Sequence, residues 1–147
     1  MSKRLRVPDY DVIVRPHELL AINTPTFQRL FRIYQLGLGY LVYPFATHTR
    51  GAHVVETVNF AQRILDSLKA RPGLAGLIDD DVVERTRMGA LLHDIAHLPF
   101  SHTLEDENVV FKEKHDEERL TRLLDRLRAE IAGEGHRDCR FSSHQRA

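Results

Sequence analysis

Ala90-Leu91-Leu92-His93-Asp94-Ile95-Ala96-His97 carries the densest chemistry in the chain. An adjacent His-Asp pair offers an imidazole nitrogen and a carboxylate oxygen. On a regular helix, neighbours point about 100° apart, but near a helix end both side chains can reach one ion. His97 lies one turn beyond His93, on the same face. Nitrogen and oxygen donors without sulfur suit a first-row divalent metal. A metal so held polarises phosphoryl oxygens and lowers the pKa of a bound water, which is the apparatus for hydrolysing a phosphoester or phosphoanhydride. The same His93/His97 pair also reads as a zinc-peptidase helix motif with Asp in place of Glu. That alternative lacks a third ligand, because Phe100-Ser101-His102-Thr103 does not supply one in the expected pattern.

The elements that must position these residues follow from local patterns. Asp11 to Arg15 reads as a short extended piece stopped by Pro16, after a loose start over residues 1–10. A short helix is expected over His17 to Ile22. Thr24-Pro25 is a helix start, with Phe27, Leu30, Phe31 and Tyr34 at helical spacing and Gly37 and Gly39 closing the segment. A long helix is expected from about Thr49 to Lys69, with Val54, Val58, Ala61, Leu65 and Leu68 as its apolar stripe. Asp79 to Asp81 favour another helix start, continuing through Met88, Leu91, Leu92 and Ile95 until Pro99 breaks it. Ser101 could cap a further short helix. A last helix is expected from Glu113 to Ile131, followed by a disordered polar tail over 132–147. The fold class is therefore all-α, a bundle of about five helices with a domain over 1–131.

Composition narrows the function classes. The chain has 147 residues, enough for one domain with a core, and 42% of them are hydrophobic. Lys and Arg balance Asp and Glu at 21 each, so no whole-chain charge argues for nucleic acid or membrane as the main partner. No apolar run reaches the roughly 18 residues of a membrane span, and the basic N-terminus lacks an apolar segment, so no signal peptide is expected. The single cysteine, Cys139, excludes an internal disulfide and a cysteine-based zinc site, and a cytoplasmic home is the simple expectation.

Four segments occur in order: Thr24-Pro25-Thr26-Phe27-Gln28-Arg29-Leu30, Arg32-Ile33-Tyr34-Gln35-Leu36-Gly37, Tyr43-Pro44-Phe45-Ala46-Thr47-His48-Thr49-Arg50-Gly51-Ala52-His53, and Leu91 through His102. Together they resemble the HD-domain metal-dependent phosphohydrolase superfamily, in its deoxynucleoside triphosphate triphosphohydrolase branch, over roughly residues 10 to 125. The resemblance implies an HD-domain helical bundle and one divalent metal ion, manganese, iron, zinc or magnesium, held by His53, His93 and Asp94. It implies that Asp94 also orients or helps deprotonate the attacking water. Arg50 would meet substrate phosphates, and His97 and His102 would line the phosphate side of the pocket, with His97 also in a catalytic role. His115, before Asp116, would act as general acid. Gln35 and Leu36 would contact the sugar. The implied reaction converts a deoxynucleoside triphosphate and water to a deoxynucleoside and tripolyphosphate, and homo-oligomers are usual in the branch.

Plainer readings stand beside these. Arg50 could be a surface salt-bridge partner, His102 a structural histidine, His115 a solvated residue at a helix start, and Gln35 a partner of backbone at the Gly37 turn. His48 could cap a helix or face solvent.

The sequence also departs from the family pattern. Gly51-Ala52 stands where Phe-Glu is usual, and Ala96 where glycine is usual. The family's last metal ligand, an aspartate on a later helix, has no recognisable counterpart among Asp116, Asp125 and Asp138. The expectation is thus a chain truncated at its C-terminus, with three readings open: a hydrolase fragment, a complete short enzyme with a substitute fourth ligand, or a module that only binds nucleotide or metal. Other HD phosphomonoesterase or phosphodiesterase substrates also stay open.

Overall fold

The computed structural model describes residues 2–6, 11–100 and 116–142, with side chains of the last helix over 117–133. Two short strands, β1 (Lys3–Arg6) and β2 (Asp11–Val14), pair antiparallel with Lys3 opposite Val14. The extended piece at Asp11 was expected. Its partner was not, because Lys3-Arg4-Leu5-Arg6 has no apolar alternation and only Leu5 is half-buried. Val12 and Val14 point inward and are buried, while Ile13 between them is exposed, the two-residue period of a strand with one covered face.

Five α-helices follow among the described residues. Helix α1 (Pro16–Ile22) starts on proline, and Glu18 accepts a hydrogen bond from the Arg15 backbone N–H at 2.7 Å. Helix α2 (Pro25–Gln28) is capped by the Thr24 hydroxyl, which accepts from the Phe27 N–H at 3.2 Å. The helical spacing through Tyr34 overestimates its length. The chain tightens into a 3-10 turn over Arg29–Arg32, and Ile33 is extended. Ile33 to Gln35 then runs beside His48 to Arg50: the Gln35 N–H donates to the His48 carbonyl at 3.0 Å, and the Arg50 N–H to the Ile33 carbonyl at 2.8 Å. These cross-chain bonds replace the helical ones and explain the early stop.

Helix α3 (Arg50–Lys69) has Thr49 as its cap, accepting from the Ala52 N–H at 3.2 Å. Helix α4 (Asp80–Leu92) has Asp79, accepting from the Val82 N–H at 2.8 Å. The two helices pack against each other, and their buried Val54, Val55, Val58 and Leu91 join Val12, Val14, Phe27, Leu30, Ile33, Ile95 and Leu127 in one core. Each such side chain stabilises the fold by about 1.5–3 kcal/mol when fully buried. Helix α4 ends at Leu92, one turn before the expected Ile95, and residues 93–96 form tight turns.

Helix α5 (Asp116–Ser142) covers the expected last helix and runs beyond Ile131, where a disordered tail was expected. Gly133 and Gly135 cost helix about 1 kcal/mol each relative to alanine but do not forbid it. Leu127 is buried in the common core, and Glu130 reaches the start of α2, accepting from the Thr26 N–H at 3.0 Å and the Thr26 hydroxyl at 2.9 Å. The helix expected after Ser101 and the start expected at Glu113 lie outside the described residues.

A buried charge network ties the first half together. Glu18, 0% exposed, takes the Arg87 fork from α4 on both oxygens, at 2.7 and 2.8 Å. Arg87 also donates to Gln62 of α3 and to the Ile13 carbonyl. All three nitrogens of the fork are thereby engaged, which is what makes a buried ion pair tolerable.

Candidate metal centre

The site forms where the first turn of α3 faces the end of α4. Thr49 starts α3 so that Arg50 and His53 stand one turn apart on the same face. His93 is the C-cap of α4, and the turns after it swing Asp94 inward. The Ile95 N–H donates to the Leu92 carbonyl at 3.0 Å and the His97 N–H to the Asp94 carbonyl at 3.1 Å. Three-residue turns rather than continued helix therefore let consecutive side chains converge.

His53, His93 and Asp94 each offer a ligand atom, and these atoms lie within 4.8 Å of one another. The two imidazole rings meet edge to face, centroids 5.3 Å apart. His93 Nδ1–H donates to the Ala90 carbonyl at 2.8 Å, which fixes the tautomer and leaves Nε2 to face Asp94 Oδ1 at 3.3 Å. His97 Nε2 approaches the same oxygen at 3.4 Å. Burial lowers the His53 pKa from its ordinary 6.5, with the charges of His93 and Arg50 adding to this and Asp94 and Glu56 opposing it. The ring is thereby held neutral, with a lone pair to share. Two imidazole nitrogens and a carboxylate oxygen gathered within reach of one point, with no sulfur among them, are a donor set that fits a divalent metal.

Asp94 is 5% exposed, and its other oxygen, Oδ2, takes a hydrogen bond from Arg50 Nη1 at 2.6 Å. Arg50 is itself 2% exposed. The expectation that Arg50 faces substrate phosphate thus meets a different placement: its guanidinium is sunk behind the site and engages a candidate ligand. The plainer reading, a salt-bridge partner, describes it, though in the interior rather than at the surface.

Among the other expected residues, His97 is brought to the site. Gln35 is half-buried, and its backbone bonds the strand-like segment at His48. Leu36 is largely exposed, as is His48. His102 and His115 lie outside the described residues. The reading of the sequence gave no role to Arg29. Its guanidinium donates to the His97 carbonyl at 2.8 Å and to the Ile95 carbonyl. The glycine at position 51 also has a structural cause: a Cβ there would fall 2.6 Å from Cγ of Phe31, so the ring fills the space that a bulkier residue would need.

The HD domain family profile matches residues 50–138, which include all three candidate ligands. An uncharacterised protein of Methanocaldococcus jannaschii is 46% identical over 95 residues, 65% of this chain and 19% of that protein. An uncharacterised protein of Bacillus subtilis is 42% identical over 85 residues, 57% of this chain and 19% of that protein. The deoxynucleoside triphosphate triphosphohydrolase SAMHD1 of Bos taurus is 37% identical over 91 residues, 60% of this chain and 15% of that enzyme. The chain spans about a fifth or less of the length of these relatives. With more than half of its residues inside the family match, this chain belongs to the HD domain family.

Proposed function

We propose that the chain forms the metal-bearing part of a phosphohydrolase acting on deoxynucleoside triphosphates, with a deoxynucleoside and tripolyphosphate as products. The observation that carries this reading is the convergence of His53, His93 and Asp94 on one point. The similarity to SAMHD1 favours a nucleoside triphosphate as substrate.

A bound divalent ion would supply charge for a phosphoryl oxygen and a more acidic water. The chain's own residues do the rest. His53 and His93 would hold the ion through ring nitrogens. Asp94, fixed through Oδ2 by Arg50, turns Oδ1 to the reacting side and orients the attacking water. His97, on that same oxygen, is placed to take up a proton. The water oxygen bonds to the α-phosphorus, the bond to O5′ breaks, and the leaving oxygen takes a proton from His115 as general acid. With Arg50 committed to Asp94, phosphate contacts fall chiefly to His97 and His102, and the sugar to Gln35 and Leu36. A cytoplasmic, homo-oligomeric assembly belongs to the same reading. Among the described residues, no helix is long and apolar enough to cross a membrane.

The test is elemental mass spectrometry of the purified protein beside a His93→Ala/Asp94→Ala control, then assays of deoxynucleoside triphosphates against nucleoside monophosphates and cyclic nucleotides. Near-stoichiometric metal, lost in the control, with tripolyphosphate release is the expected result. No metal after reconstitution with manganese, iron or zinc sinks the reading. Metal without hydrolysis reduces it to a binding module.

A further inference from the structure

Helix α4 ends with no basic residue in its own last turn. Its terminal carbonyls carry partial negative charge and lack intrahelical donors. Two carbonyls of the turn just beyond, those of Ile95 and His97, are met instead by one side chain from a distant element, Arg29. They belong to the residues on either side of Ala96, and the segment 93–97 carries every candidate site residue of α4's end. A guanidinium is the one side chain with a rigid fork of donors able to span two such acceptors.

Arg29 is itself firmly placed. It follows directly on α2, whose start is bonded by the Thr24 hydroxyl and, at Thr26, by Glu130 of α5. Its neighbours Phe27 and Leu30 are 0% exposed. The fork thus projects from a segment anchored on both faces.

We infer that Arg29 is a positioning residue of the metal centre: by bridging the Ile95 and His97 carbonyls it fixes the turn that aims His93, Asp94 and His97 at a divalent cation. This rests on the reading of that turn as metal-bearing. Its role runs through the backbone carbonyls that it holds.

The experiment uses Arg29→Gln and Arg29→Lys in the full chain. The first readout is amide hydrogen exchange in metal-free protein. The N–H groups of Ile95 and His97 close the turn, so in Arg29→Gln both exchange faster while the amides of α3 keep their protection. The second is titration with manganese or zinc, where loss of an outer-shell partner raises Kd by about 10–100-fold. Arg29→Lys keeps the charge but not the fork, and falls between. Unchanged exchange at 95 and 97 together with wild-type affinity in both variants overturns the inference. If Arg29→Gln loosens α3 as well, the fold has failed and Arg29→Lys decides by the same readouts. If the wild-type chain takes up no metal, the proposed function fails separately, and exchange in the metal-free turn still decides what Arg29 does.

Discussion

Arg50 Nη1 and Asp94 Oδ2 are 2.6 Å apart, and both residues are almost wholly removed from solvent. A charged pair in the interior is tolerable only while complete. Arg50→Ala leaves the Asp94 carboxylate buried without its partner, which costs about 3–5 kcal/mol. The urea midpoint of the metal-free protein measures this. Added manganese or zinc supplies positive charge beside the carboxylate, so the deficit is expected to shrink when metal is present. An equal deficit in both states means that Asp94 does not share its charge with a cation.

Metal binding to the folded chain alone must stabilise it by mass action. At one hundred times Kd the gain is about 2.7 kcal/mol. A rise in melting temperature on adding manganese or zinc is therefore expected in the wild type. It should vanish in His53→Ala, because that change removes the candidate ligand that α3 supplies. Persistence of the full shift in His53→Ala argues for a site elsewhere.

Acid should unfold the protein through Glu18. Burial alone would raise this carboxyl, but the Arg87 hydrogen bonds and charge, the Arg15 N–H and the charge of His17 outweigh it and hold the pKa below the ordinary 4.5. A depressed carboxyl contributes stability that is complete above its unfolded pKa and is lost as pH falls through its folded pKa. Wild-type unfolding free energy should therefore decline below about pH 4.5. Glu18→Gln should lower stability at neutral pH by about 3–5 kcal/mol, since Arg87 is then buried without a counter-charge, and should flatten the acid limb. Chemical denaturation across pH reads both.

Gly51→Ala tests packing against propensity. On helix propensity alone the change would stabilise α3 by about 1 kcal/mol. The Phe31 ring lies where the new methyl must go, with Cγ 2.6 Å and Cε1 2.7 Å away. Overpacking of this kind costs about 1–3 kcal/mol. Net destabilisation is expected in Gly51→Ala, and relief of it in the Phe31→Ala background. A double-mutant cycle showing no coupling would remove Phe31 as the reason for glycine at this position.

What the sequence disclosed divides by range. Thr24, Thr49 and Asp79 are legible as helix starts, because a cap acts within three residues of itself. The grouping of His53 with His93 and Asp94 came from the family resemblance, since no local pattern links position 53 to position 93. The ends of elements were harder. Leu92 and Ile95 keep helical spacing, yet the backbone leaves the helix between them, where Arg29 takes two carbonyls from 66 and 68 residues away. The Glu18–Arg87 pair spans 69 residues and Thr26–Glu130 spans 104. Such pairings leave no local periodicity, since either partner alone reads as an ordinary polar residue on a helix. Arg50 was expected at substrate phosphates or in a surface ion pair; its buried bond to Asp94 joins residues 44 positions apart and leaves no local mark in the sequence.

The forty-odd residues between the two halves of the centre also bear on when it comes into being. Arg50 and Asp94 are 44 positions apart, with the rest of α3 and all of α4 between them. A newly made chain owns His93 and Asp94 as neighbours from the start, but it gains His53 and Arg50 beside them only after those helices have docked antiparallel. Closing a segment of that length is paid for in chain entropy before the contacts reward it. A cation that needs donors from both helices would therefore find its full ligand set only once α3 and α4 have closed, so uptake of added metal during refolding would report on that docking step.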